Sequence, residues 1–185
     1  MTLVELVVVV LIMGISVMIV LIAGHLSLRD TEELKAQART LAGFLETVRL
    51  NAAVKGRSFF IEYNLDEQKY FAWVPKEPKE GDVIDPESND ALVQGVELFM
   101  PNRYNAAGQR EFSTWIDRVA MGDGKGQSRG LVKIEFTARG GSHWHYVYLR
   151  NKNNEFYTIE VNPFTGLAEV HPGELKPEPP EKVRR

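Results

Sequence analysis

Glu5 and the pair His143 and His145 are the residues whose type and spacing most invite chemistry. Glu5 is the only ionisable side chain between Met1 and Gly24, inside a run of Val, Leu, Ile and Met. A carboxylate in such surroundings costs several kcal/mol unless it is paired or neutralised, so it marks a functional position. The first Lys or Arg after it is Arg29, out of reach. The partner left is an α-amino group, this chain's own or that of a neighbouring copy. His143 and His145 flank Trp144. At i and i+2 on a strand they would share a face and could begin a Zn or Cu site. A third ligand is not apparent, and the expectation is two strand histidines beside an aromatic. Asp82, Asp85, Glu87 and Asp90 offer carboxylates of the kind that hold Ca²⁺, but their spacing matches no ligand pattern, so a solvated loop is expected. Gly122, Gly124 and Gly126 lack the GxxxxGK[ST] order of a phosphate cradle and read as a hairpin loop. Lys182, Arg184 and Arg185 could contact phosphates, yet Glu174, Glu178 and Glu181 dilute their potential, so nucleic-acid binding is not expected. With no assignable nucleophile constellation, the reading is a non-enzymatic chain with no cofactor and no metal.

These residues need elements to hold them. Residues 1–24, as a helix rising about 1.5 Å per residue, would cross the roughly 30 Å hydrocarbon core of a bilayer. Residues 25–56 continue that helix in amphipathic form, with Leu34, Ala38, Leu41, Leu45, Val48 and Ala52 at spacings of 4, 3, 4, 3, 4. Asp30 or Thr31 suits a cap for a restarted segment, and Gly56 suits the position just past the helix end. Residues 57–173 read as a β-rich domain. Phe59 to Leu65 and Tyr70 to Val74 form a hairpin, Leu92 to Phe99 a weaker strand, and Leu131 to Thr137 another. Trp144 to Arg150 pairs with Phe156 to Val161 across a four-residue polar turn, and Leu167 to Val170 adds an edge strand. Trp115, Ile116 and Val119 fit a short helix or a strand equally, and Met121 to Gly130 reads as a flexible connection. Residues 174–185 are Pro-rich and charged, the composition of a disordered tail. The fold class is therefore α+β: one long N-terminal helix followed by an antiparallel sheet or sandwich.

With 25 acidic and 22 basic residues the net charge is −3, which supplies no basic field calling for nucleic acid. Cysteine is absent, so any exported domain rests on its core alone. Arg29, Lys35 and Arg39 follow the apolar run and nothing basic precedes it in this sequence. Taken by itself, that charge bias would leave the bulk of the chain in the cytoplasm.

The run Thr2-Leu3-Val4-Glu5-Leu6, continuing through Val, Leu and Ile with Gly14, resembles the mature N-terminus of type IV pilins and type II secretion pseudopilins. The resemblance implies a basic leader removed by a prepilin peptidase, N-methylation at Met1, and pairing of Glu5 with a neighbouring subunit's terminal amine. Such a leader reverses the orientation argument and places the domain in the periplasm, with the chain held once in the bacterial inner membrane. Met1 stands where that family usually has Phe, and Ile22 where many pilins have a helix-bending Pro, which leans towards a pseudopilin or minor subunit. Ala38 to Ala42, Asn51 to Arg57, Phe136-Thr137-Ala138-Arg139-Gly140 and Ile159 to Gly166 are similar to landmarks of the minor pseudopilin H (GspH/FimT) family. That resemblance implies a structural subunit near the tip of a filament, with the major and other minor pseudopilins and the inner-membrane assembly platform as partners. It leaves open a minor or major type IV pilus subunit, and a DNA-uptake role through the basic tail.

Overall fold

The computed structural model describes residues 3–75, 98–100, 102–104, 110–122 and 124–177; before Asp30 it describes helix side chains only at positions 7 and 10–16. One helix, α1 (Leu3–Lys55), leads the chain. From Leu34 to Ala52 its apolar stripe is buried, as the spacing predicts. It ends where expected: Gly56 takes φ +61°, its N–H bonds Ala53 O (3.4 Å), and the Arg57 N–H bonds Ala52 O (3.2 Å). That crossed pair satisfies carbonyls the helix would otherwise leave free. Asp30 and Thr31 do not cap anything, because the helix passes through them unbroken.

Two antiparallel sheets follow. The first, in the order β3-β2-β1-β8, contains β1 (Phe59–Asn64), β2 (Lys69–Trp73), β3 (Leu98–Phe99) and β8 (Leu131–Phe136). The second, β11-β10-β9-β6-β7, contains β6 (Thr114–Met121), β7 (Gly126–Gln127), β9 (His145–Asn151), β10 (Phe156–Val161) and β11 (Ala168–Pro172). A separate two-stranded ribbon joins β4 (Asn102–Tyr104) to β5 (Arg110–Phe112). A single core unites the helix stripe with the inward residues of both sheets, among them Ile61, Tyr63, Ile134, Phe136, Val147, Leu149 and Ile159.

The hairpin of β1 and β2, the strand β8, the hairpin of β9 and β10 and the edge strand β11 fall where alternation put them. The ambiguous stretch is a strand: β6 pairs with β9, and its register shifts between Ile116 and Arg118. The extra residue turns a period of two into a gap of three from Ile116 to Val119, which imitates helical spacing. Gln68, in a left-handed conformation (φ 55°), serves this bulge. The Ile116 N–H donates to its Oε1 (2.6 Å), and its Nε2 donates to Ile116 O (3.1 Å) and Leu65 O (2.7 Å).

Met121 to Gly130 is more ordered than a flexible connection. β7 pairs with Val119 and Ala120, and the Gly122 N–H bonds Trp144 O (2.8 Å). Glu174 and Leu175, read in the sequence as the start of a disordered tail, are held on the second sheet: Glu174 pairs with Arg118 and Leu175 packs beside Tyr146 and Tyr148. Of the Leu92 to Phe99 strand only Leu98 and Phe99 lie within the described residues.

Candidate functional site

α1 presents two faces beyond residue 30, and the outward one is the candidate interface. Ala36, Thr40, Gly43, Thr47, Leu50 and Val54 repeat the 4, 3, 4, 3, 4 spacing on the side opposite the core, and all are exposed. The Thr40 hydroxyl donates to Ala36 O (2.9 Å) and the Thr47 hydroxyl to Gly43 O (2.8 Å). Their polar atoms thus turn back onto the backbone and leave methyl groups outward. Small residues let a second helix approach closely. Farther down, Val7, Val10, Leu11, Ile12, Met13 and Ile15 are each more than half exposed, and Ser16 likewise donates to Ile12 O (2.8 Å). A contiguous apolar surface of this kind demands a partner other than water. Gly14 lies in this stretch with open space around it. Among the described residues no helix is long and apolar enough to cross a membrane. Met1 and Thr2, and the side chains of Leu3, Glu5 and most other residues of the 1–24 run, lie outside what is described.

The rod is fastened to the domain at its lower edge by residues that read as caps in the sequence. Buried Asp30 pairs with Lys152 (3.3 Å), and the Thr31 hydroxyl donates to Glu155 Oε2 (2.8 Å). Ser113 donates to Glu33 Oε1 (2.6 Å). The β9–β10 turn that receives them is held by buried Asn151, whose Oδ1 accepts from the N–H groups of Asn153 and Glu155 (both 3.0 Å) and whose Nδ2 donates to Glu155 Oε2 (2.7 Å). Spacing could not reveal this joint, because its halves lie 80 to 124 residues apart in sequence.

At the upper end, the Asn162 to Gly166 turn closes onto the helix. Asn162 Oδ1 accepts from the N–H groups of Phe164 (2.9 Å) and Thr165 (3.2 Å), and the Gly166 N–H bonds Asn162 O (2.8 Å). Gly166 has φ +64°, and a Cβ there would lie 2.1 Å from Gly140 O and 2.9 Å from Arg49 Cδ. Gly140 closes the turn after β8, its N–H bonding Thr137 O (2.8 Å), so both turns meet over Arg49, which is itself held by Glu46 through Nε (2.9 Å). Phe164, at the tip, is 89 % exposed.

The histidine pair does not form a site. β9 begins at His145, and His143 lies before it, exposed, so the two do not share a strand face. His145 is fully buried, its Nδ1 2.7 Å from His143 O and its Nε2 3.5 Å from the Tyr63 hydroxyl. Burial pushes its pKa down to about 4, and burial also holds the Tyr63 phenol protonated. It is a neutral core residue. Among the described residues no group of three metal-binding side chains occurs. Asp82, Asp85, Glu87 and Asp90, and the tail residues Lys182, Arg184 and Arg185, lie outside the described residues.

No family model matches the chain, and no curated protein matches it in sequence. Solved structures do match in shape. The minor pseudopilin EpsH from the type 2 secretion system of Vibrio cholerae superposes with a TM-score of 0.54 at 12 % identity, covering 78 % of this chain and 99 % of that one. The chain has the pseudopilin fold. A crystal structure also described as EpsH of Vibrio cholerae gives a TM-score of 0.52 at 14 % identity, covering 78 % and 98 %. At these identities the pseudopilin likeness is one of architecture: a helix followed by antiparallel sheets.

Proposed function

We propose that this chain is a structural, non-enzymatic minor pseudopilin of the H type, built to enter a short periplasmic filament of a type II secretion system. The observation that carries this reading is the pseudopilin fold joined to a helix whose described apolar side chains near the N-terminus are exposed. In this reading residues 1–24 sit in the inner membrane until a prepilin peptidase has processed the chain and the assembly platform extracts it. The apolar rods then pack on one another and replace lipid contacts. Glu5, with Thr2, Leu3 and Gly14 around it, pairs with the methylated terminal amine of an adjacent subunit, which offsets the burial of its charge and sets the axial register. The sheets form the outer shell, and their loops meet the other major and minor pseudopilins.

Glu5→Ala in the full chain tests this. Incorporation into filaments, scored by shearing and immunoblot in cells that assemble them, should fall at least about tenfold, the minimum effect of losing one charge pair in an apolar setting. The domain should stay folded by circular dichroism. Unchanged incorporation would count against the assignment.

A further inference from the structure

The outer face of the second sheet carries a cluster of its own, separate from the main core, in which Ala120, Tyr146 and Tyr148 are buried and Trp144 and Leu175 pack against them. What covers it is the chain's own C-terminal segment. β11 ends its ladder at Gly173, whose N–H bonds Phe156 O (2.8 Å) and whose φ of +85° turns the backbone over the sheet. From there the segment meets residues of β10, β9 and β6, and side chains rather than a strand ladder hold it. The Thr158 hydroxyl donates to Gly173 O (2.7 Å) and accepts from the Leu175 N–H (3.0 Å). The Tyr148 hydroxyl donates to Leu175 O (2.7 Å). Arg118, which also lies over the Tyr148 ring (4.1 Å), pairs with Glu174.

We propose that this face is a binding site for an extended peptide reading acidic residue, then Leu, and that Glu174 and Leu175 occupy it as an intramolecular ligand. Four features point to recognition. Both backbone polar groups of Leu175 are met by side chains of residues that are themselves buried, Thr158 and Tyr148. Trp144, Tyr146 and Tyr148 set aromatic rings in the cluster that Leu175 packs on, the kind of lining that extended segments meet elsewhere. The cation of Arg118 selects the acidic residue before the Leu. Release breaks no sheet ladder beyond Gly173 and exposes only this satellite cluster, so the main core is untouched. A partner carrying the same pattern would therefore compete with the strap, whose presence lowers the partner's apparent affinity by the fraction of time the site is open.

The test uses the full chain in mild detergent and a fluorescein-labelled peptide of the chain's own residues 173–180, Gly-Glu-Leu-Lys-Pro-Glu-Pro-Pro, read by anisotropy. Leu175→Ala in the protein should loosen the strap and tighten peptide binding at least about tenfold over the wild-type chain. Adding Thr158→Val should abolish that gain, as should replacing Leu by Ala in the peptide. Should Leu175→Ala disturb folding by circular dichroism, Glu174→Ala opens the strap at an exposed position and carries the same comparison. Binding no tighter in the opened variants than in wild type overturns the proposal, and so does equal binding of the Leu-to-Ala peptide.

Discussion

Gly56 and Gly166 have nearly the same backbone angle, φ +61° and +64°, yet very different surroundings. A Cβ on Gly56 meets open space, whereas one on Gly166 runs into Gly140 O and Arg49. Gly56→Ala should therefore cost only the left-handed conformation, about 1 kcal/mol. Gly166→Ala should cost about 3 kcal/mol or more, because two turns and a helix must also separate. Urea midpoints of the two variants, at a common slope, check the ordering. His145 gives a pH test with a definite sign. Its folded pKa lies near 4, below the usual 6.5 of an unfolded imidazole, so below pH 6.5 the unfolded chain takes up the proton first. Stability contributed by the neutral ring is complete above about pH 6.5, declines as pH falls towards 4, and levels off below. The loss is about 3 kcal/mol across that window. His145→Phe should remove that part of the slope, read from unfolding curves between pH 4 and 7.

At the scale of elements, β6 shows how one side chain can decide whether a strand is usable. Its bulge would leave the Ile116 backbone groups without partners at the sheet's margin, and Gln68 reaches from the first sheet's β1–β2 turn to satisfy both. Gln68→Ala should destabilise by about 2 kcal/mol through those unmet groups. Hydrogen exchange should localise the loss, with amide protection falling first around residues 114–116. The hairpin of Phe59 to Leu65 with Tyr70 to Val74 was readable; the role of Gln68 was not, because it depends on a strand nearly fifty residues away. The same limit applies to Asp30 and Thr31. As types they suit a helix start, but the helix continues, and their partners Lys152 and Glu155 belong to a hairpin no local pattern could bring to them.

On the scale of the whole molecule, the domain has a core of its own. The buried core begins at Leu34 and draws no described side chain from before Asp30. A chain starting at residue 26 should therefore unfold cooperatively, with a midpoint within about 3 °C of the full chain's, the shift expected of less than 1 kcal/mol. It should also stay monomeric without detergent, while the full chain should not, since the apolar side chains described at positions 7, 10–13 and 15 are exposed. Size-exclusion chromatography with light scattering distinguishes these outcomes.

The sequence by itself determined what depends on periodicity and on single residue types. The apolar stripe of α1, the Gly56 stop and the β1–β2 and β9–β10 hairpins all express local rules, and each appears where those rules put it. The tertiary structure alone decided whatever joins distant segments. It moved His143 and His145 apart in environment, gave Glu174 and Leu175 a place on the second sheet, and turned an ambiguous 115–119 stretch into a bulged strand. The reason is physical: backbone propensity acts over a few residues, while burial and hydrogen-bond satisfaction act over whatever the folded chain brings within about 4 Å.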